Sequence, residues 1–202
     1  YWIDNDNSGW SVYEKTNNFT ATNYFDRTTG TQLGDGVSKP KGSSVLVVGA
    51  PNNYKLQYGS VTMYEQQVDG SYKDLVRWRI GSTYNSIPTG FGSSVVYDAL
   101  PFTGSRYGLV FVGAPLVNLV KVSSINSQDL TEGSFQYIIG SDSGFGKNIF
   151  VESNKKAKLV LISSDNAVYS YTVSDNAGTI GIVGGSILTS GIVSGITGAE
   201  SA

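Results

Sequence analysis

An all-β chain is what this sequence predicts, and three observations predict it. Short runs rich in Val, Ile, Tyr and Phe alternate with clusters of Gly, Asn, Asp and Ser, the pattern of strands punctuated by turns. No stretch places apolar residues at a sustained helical spacing with capping signals at both ends. The order of strand-like runs and turn glycines also repeats along the chain, and repeats constrain a fold strongly.

Taken in order, the strands sort by burial. Val45-Leu46-Val47-Val48, Leu109-Val110-Phe111-Val112 and Leu159-Val160-Leu161-Ile162 are apolar throughout, which predicts burial on both faces. Ser60 to Glu65 and Ala167 to Thr172 alternate, which predicts one face in and one face out. A first unit, 33–80, runs from Leu33-Gly34 through Val45 to Pro51, Gly59 to Glu65, a turn at Asp69-Gly70, and Tyr72 to Ile80. A second, 90–139, runs from Phe91-Gly92 through Leu109 to Pro115, Val117 to Ser123, a turn at Glu132-Gly133, and Phe135 to Ile139. A third and degenerate one, 145–183, runs from Phe145-Gly146 through Leu159 to Ser163, Ala167 to Val173, a turn at Ala177-Gly178, and Ile180 to Val183. Each offers about four strands, the content of one propeller blade. Residues 1–16, with a turn at Asp6 to Gly9, match the outer hairpin of a partial blade; 17–32 is a connecting loop, and 184–202 is a Gly-rich tail or the start of a further blade. The expected fold is therefore a β-propeller segment of four-stranded antiparallel blades, incomplete at both ends. Closure takes about 4–8 blades, and unpaired edges invite pairing with something else.

The residues at the unit starts carry a resemblance. Gly90-Phe91-Gly92 followed by Val112-Gly113-Ala114-Pro115 resembles an FG-GAP repeat, the blade unit of the integrin-α type of β-propeller. Gly49-Ala50-Pro51 supplies a second GAP, with Gly59-Ser60-Val61 and Tyr64 where the family has its following strand. Gly144-Phe145-Gly146 is a third start, with Ser163-Ser164 where GAP is expected. The resemblance covers most of the chain and implies protein recognition rather than chemistry. Glycine within a strand pattern marks a bulge or a close backbone approach, so Gly92 and Gly146 fit crowded inner strands, with Phe91 and Phe145 packing between blades. Pro51 and Pro115 lack an N–H and stop the ladder after a buried strand.

Composition excludes several chemistries. The 202 residues include no His and no Cys, so they contain no Ser-His-Asp triad, no Cys nucleophile, no disulfide and no ordinary zinc or haem site. The formal charge of -2 and isoelectric point near 5.1 argue against a nucleic-acid binder. Charged residues are 15% of the chain, against about 25% in an average domain. Residues 179–199 carry no charge and are long enough for a membrane span. Gly181, Gly184, Gly185, Gly191, Gly195 and Gly198 weaken a helix there, so no membrane span is expected.

Candidate sites are few. Asp4-Asn5-Asp6-Asn7-Ser8-Gly9 imitates the start of a calcium loop, with Asp4, Asp6 and Ser8 at ligand positions. Val12 and Lys15 stand where later ligands belong, so a structural turn is the expected reading and no cofactor is assigned. FG-GAP propellers often bind calcium through acids between the FG and GAP strands. Here those loops carry Lys39, Lys41, Arg106, Lys155 and Lys156 instead, and calcium is not carried over. Lys155, Lys156 and Lys158 read as a solvated basic loop flanking an apolar strand. Asp35, Asp98 and Glu152 are scattered acids with no spacing that singles out a catalytic pair. Trp2, Trp10, Tyr13, Tyr72, Trp78 and Tyr84 read as packing residues, with a sugar-stacking face as the alternative. Asn18-Phe19-Thr20 is an N-glycosylation sequon, informative only in a secreted eukaryotic protein.

The expectation is a non-catalytic extracellular or cell-surface scaffold or adhesion module. Its partners would be other protein subunits, as a homo-oligomer, a polymer or part of a filament. The alternative is a lectin-like propeller that binds glycans.

Overall fold

The computed structural model describes residues 2–5, 10–13, 37–39, 43–51, 59–78, 87–99, 101, 107–153, 157–176 and 179–188. The fold is all-β, with no α-helix among the described residues. Strands β1 (Trp2–Asn5) and β2 (Trp10–Tyr13) form an antiparallel hairpin, Trp2 opposite Tyr13 and Asn5 opposite Trp10. Three four-stranded sheets follow. The first holds β3 (Val37–Ser38), β4 (Val45–Ala50), β5 (Ser60–Gln66) and β6 (Tyr72–Trp78). The second holds β7 (Val95–Asp98), β8 (Tyr107–Ala114), β9 (Leu119–Asn126) and β10 (Glu132–Ile139). The third holds β11 (Ile149–Ser153), β12 (Lys158–Ser163), β13 (Val168–Asn176) and β14 (Thr179–Leu188). Within each sheet, strands adjacent in sequence are adjacent in space and run antiparallel. None of the three closes on itself.

The sheets stack, and side-chain alternation dictates the stacking. Successive residues of a strand point to opposite faces. Val110, Val112 and Ala114 of β8 therefore join Val45, Val47, Val61 and Met63 of the first sheet in one core. Leu109 and Phe111 point the other way and join Val160, Ile162, Tyr169 and Val173 of the third sheet in a second core. The second sheet is the filling between two layers, which is why nearly every residue of β8 and β9 is buried. Phe91 and Phe145, both fully buried, sit one in each core. Burying each contributes about 1.5–3 kcal/mol. Leu46, Val48, Ala50, Tyr64 and Tyr72, on the other face of the first sheet, are buried as well.

The two unit starts share one turn. Ser93 donates its N–H to the Gly90 carbonyl and Lys147 to the Gly144 carbonyl, closing the same turn. Gly92 (φ 102°) and Gly146 (φ 93°) take the backbone region that side chains avoid. Each of these glycines lies against the preceding sheet. A Cβ on Gly49 would run into the carbonyl oxygen of Gly92, and a Cβ on Gly113 into that of Gly146. Ser94 Oγ donates to that same Gly146 oxygen at 2.7 Å, and Tyr97 N–H reaches back to Ser38 Oγ at 2.8 Å. Strands β4 and β8 end at Ala50 and Ala114, immediately before Pro51 and Pro115, as the missing N–H requires. Pro115–Val117 then forms a single 3-10 turn.

Three expectations need correction. Glu132-Gly133 is not a turn: both lie in β10, and the connection is Ser127 to Thr131. Side chains rather than glycine shape it. Asn126 Oδ1 accepts the Gln128 N–H at 3.0 Å and Asp129 Oδ1 the Thr131 N–H at 3.1 Å, while Leu130 adopts φ 58°. The third sheet does not end at Val183, because β14 runs on to Leu188. The bulge that permits this falls at Gly184 and Gly185, opposite Ser170 and Tyr171. Leu159 to Ile162 is not buried on both faces: Val160 and Ile162 are fully buried, but Leu159 is 41% exposed. The Ala177-Gly178 turn lies outside the described residues.

The glycine contacts make a direct prediction. Gly113→Ala forces a methyl group into the Gly146 carbonyl and should cost about 2–3 kcal/mol. Ser163→Ala, at the matching position of the third sheet, should lose only the hydroxyl's bonds to Asn148, about 1 kcal/mol. Urea unfolding of both variants checks this; equal midpoints would show that the glycine contact does not set the sheet separation.

Candidate interaction surface

Polar groups between the sheets are paired off. Lys158, at the start of β12, is fully buried and forms an ion pair with Asp98 at the end of β7. Ser153 of β11 donates its hydroxyl to the same Asp98 oxygen, and Lys158 Nζ lies 3.2 Å from Ser153 Oγ. A cation and an anion thus join the second and third sheets at one edge. In the second sheet, Lys121 pairs with Glu132 at 2.8 Å, and Ser123 Oγ donates to the same Glu132 oxygen at 2.6 Å. The Lys121 ammonium also lies 4.6 Å from the centre of the Phe135 ring. Burial of an ion pair returns little net stability, whereas removing one partner is costly.

Asp142 anchors a third group. It accepts the Tyr169 hydroxyl at 2.6 Å and the Ser164 hydroxyl at 3.4 Å. That bond, and then burial, raises the Tyr169 pKa above the usual tyrosine value. Burial first, and then the negative charge of an ionised Tyr169, raises that of Tyr171. Burial, followed by the neighbouring Asp98 charge, raises that of Tyr97. The Phe145 ring lies edge-on to both tyrosines of this group, at 5.4 Å from Tyr169 and 6.3 Å from Tyr171.

The third sheet exposes apolar side chains among polar ones on its outer face. On the third sheet, Val160 and Ile162 point inward, so their neighbours Leu159 and Leu161 point out. Cross-strand pairing extends that outer face into two rows: Glu152, Leu159, Thr172 and Val183, then Phe150, Leu161, Ser170 and Ser186. Phe150 is 49% exposed, Leu159 41% and Val183 73%. Other exposed apolar side chains, such as Val68 at a hairpin tip and Leu116 in the 3-10 turn, stand apart from this face. A contiguous apolar sheet face marks a contact site, whereas single exposed residues do not.

The sequence-level candidates fall in three groups. Phe91, Gly92, Gly49, Gly113, Ala114, Phe145 and Gly146 lie at the junctions between sheets, the Ala50 side chain packs on the outer face of the first sheet, and Pro51 and Pro115 follow the ends of β4 and β8. Asp4 lies in β1, while Asp6, Ser8 and Asn18 lie outside the described residues, as do Lys155 and Lys156. Lys158 departs from its expected solvated place: it is the buried half of the Asp98 pair, because β12 begins one residue earlier than its apolar run. Tyr72 is buried at 7% exposure, and Lys39 Nζ stands 3.3 Å from its hydroxyl and 5.8 Å from its ring centre. It is therefore a packing residue and not an open stacking platform. No cluster of three or more Asp or Glu able to hold a metal ion occurs among the described residues. None of the described helices is long and apolar enough to cross a membrane. The open face was missed at the sequence level, although its signal was present: an apolar run on both sides of β12 requires a second cover.

No protein-family model matches the chain, and no curated protein matches it.

Two predictions follow from the polar groups. Lys158→Met should destabilise the protein by about 3–5 kcal/mol by stranding Asp98, whereas Lys158→Met with Asp98→Leu should fall within about 1 kcal/mol of wild type. Denaturant unfolding of the complete double-mutant cycle measures this coupling. The folded state holds the Tyr97, Tyr169 and Tyr171 protons more tightly than the unfolded chain. Their contribution to stability is thus complete below the ordinary tyrosine pKa of about 10 and is lost as pH rises through their folded values. Urea midpoints measured from pH 8 to pH 11 should hold level and then fall. Tyr97→Phe with Tyr171→Phe should reduce that alkaline fall.

Proposed function

We propose that this chain is a non-catalytic scaffold or adhesion subunit of an extracellular assembly, built as a segment of an FG-GAP-type β-propeller. The observation that carries the reading is the open face of the third sheet, where Phe150, Leu159 and Val183 are exposed, while both faces of β8 and β9 in the second sheet are buried. Three features support the propeller part. Each sheet is a four-stranded antiparallel meander. The sheets stack face to face as blades do. Gly-Phe-Gly turns stand at the start of the second and third sheets, their phenylalanines buried at the junctions. The non-catalytic part rests on the absence of His and Cys from the sequence and on the use of Asp98, Glu132 and Asp142 as structural partners. In an extracellular setting the sequon at Asn18 would be a glycan acceptor.

Electron microscopy and sedimentation of material isolated without denaturation test the reading. Particles much heavier than the 21.5 kDa chain, with disc-like or filamentous views, are expected. A dispersed 21.5 kDa monomer would contradict the assembly role, and turnover of any substrate by the purified chain would contradict the non-catalytic one.

A further inference from the structure

We infer that the open face of the third sheet docks a β-sheet of a partner protein, which sets an apolar face on Leu159 and a lysine or arginine against Glu152. The inference rests on the reading of the chain as a subunit and names the chemistry of what that subunit receives.

The internal repeat supplies the template. Gly92 N–H bonds the Gly113 carbonyl at 2.9 Å, and Gly146 N–H bonds the Ser163 carbonyl at 3.0 Å. Gly113 N–H bonds Ser94, and Ser163 N–H bonds Asn148, at 2.9 and 3.0 Å. These bonds fix the equivalence of the second and third sheets residue by residue. Counting along the strands, Val96 matches Phe150, Asp98 matches Glu152, Leu109 matches Leu159 and Phe111 matches Leu161. On the second sheet this set is covered by the third: Leu109 and Phe111 are fully buried and Asp98 meets Lys158. The same set on the third sheet faces outward, with Glu152 exposed at its rim. A surface that copies a built interface, acid included, takes a complement of the same chemistry: an apolar β-layer with a cation where Lys158 stands.

Two observations choose the source. A further sheet of this same series would bring its Gly-Phe-Gly turn against position 163, as Gly92 lies on Gly49 and Gly146 on Gly113. That approach leaves no room for a Cβ, and position 163 is serine, with its hydroxyl engaged by Asn148. The covering sheet therefore lacks that turn. A second copy docked through this same face, or through the opposite end of the stack, is disfavoured by charge and by burial. Neither row of the open face contains a cation to meet Glu152, and the opposite end of the stack, at Leu46, Val48 and Tyr72, is already covered.

The test places the photo-reactive residue p-benzoylphenylalanine at Leu159 of the full chain in its native host, with the same residue at Val68, an exposed hairpin tip, as background. Cross-linked peptides are identified by mass spectrometry. The expected result is peptides from one foreign protein, with alternating apolar residues and a lysine or arginine. Their yield should drop roughly tenfold or more with Glu152→Lys and survive Glu152→Asp. Peptides of this chain alone, yields at the Val68 background, or indifference to Glu152→Lys would overturn the inference. Glu152 is exposed, so circular dichroism of Glu152→Lys should match wild type, and a loss of cross-linking then reports docking. Large native assemblies with only background cross-linking at Leu159 would remove this docking face and leave the subunit reading standing. A monomer without cross-links would remove both.

Discussion

Backbone touching backbone sets the geometry of this protein. At each junction a glycine at the end of an inner strand, Gly49 or Gly113, faces the carbonyl of a glycine in the next sheet's opening turn, Gly92 or Gly146. Most sheet pairs are held about 10 Å apart by interdigitated side chains. Here the layers close to direct contact at one point and open around it. That pinch fixes where the neighbouring phenylalanines go. Phe91 and Phe145 immediately precede Gly92 and Gly146 in the same turns, and both rings are fully buried between the layers. The aromatic cores are thus a consequence of two hydrogen atoms in place of two methyl groups.

The pinch also decides the electrostatics. With Gly113 against Gly146, the first strand of the second sheet comes to lie beside the first two strands of the third, and Asp98 arrives at Lys158 and Ser153. The pair adds little to net stability, but it penalises misregistration. A strand displaced by one residue turns its side chains to the opposite face and would strand both charges in an apolar layer. Lys121 with Glu132 plays the corresponding part within the second sheet, with the Phe135 ring beneath the ammonium. Buried polar groups in this molecule therefore specify alignment, while apolar contact supplies the cohesion.

The same logic gives the open face its meaning. The central strands of the second sheet, β8 and β9, are covered on both faces by the neighbouring sheets. The third retains the apolar rows and the rim acid of a covered sheet while presenting them to solvent. Its serine at position 163 marks where the series of glycine contacts stops.

Local sequence determined much of this. The strands are readable because Val, Ile, Phe and Tyr runs are cut by glycine, asparagine and proline, whose backbone limits act over a few residues. The unit starts at Phe91-Gly92 and Phe145-Gly146, and the strand ends at Pro51 and Pro115, are local effects of the same kind. Turn chemistry was less legible, because Asn126 and Asp129 built a turn where Glu132-Gly133 looked equally suitable. Only the tertiary structure decided the burial of Lys158, the exposure of Leu159 and Phe150, and the role of Asp98. Each depends on which layer lies against which face, a relation between residues more than 50 positions apart. Apolar character reveals that a side chain seeks cover; the stacking of sheets determines whether it receives it.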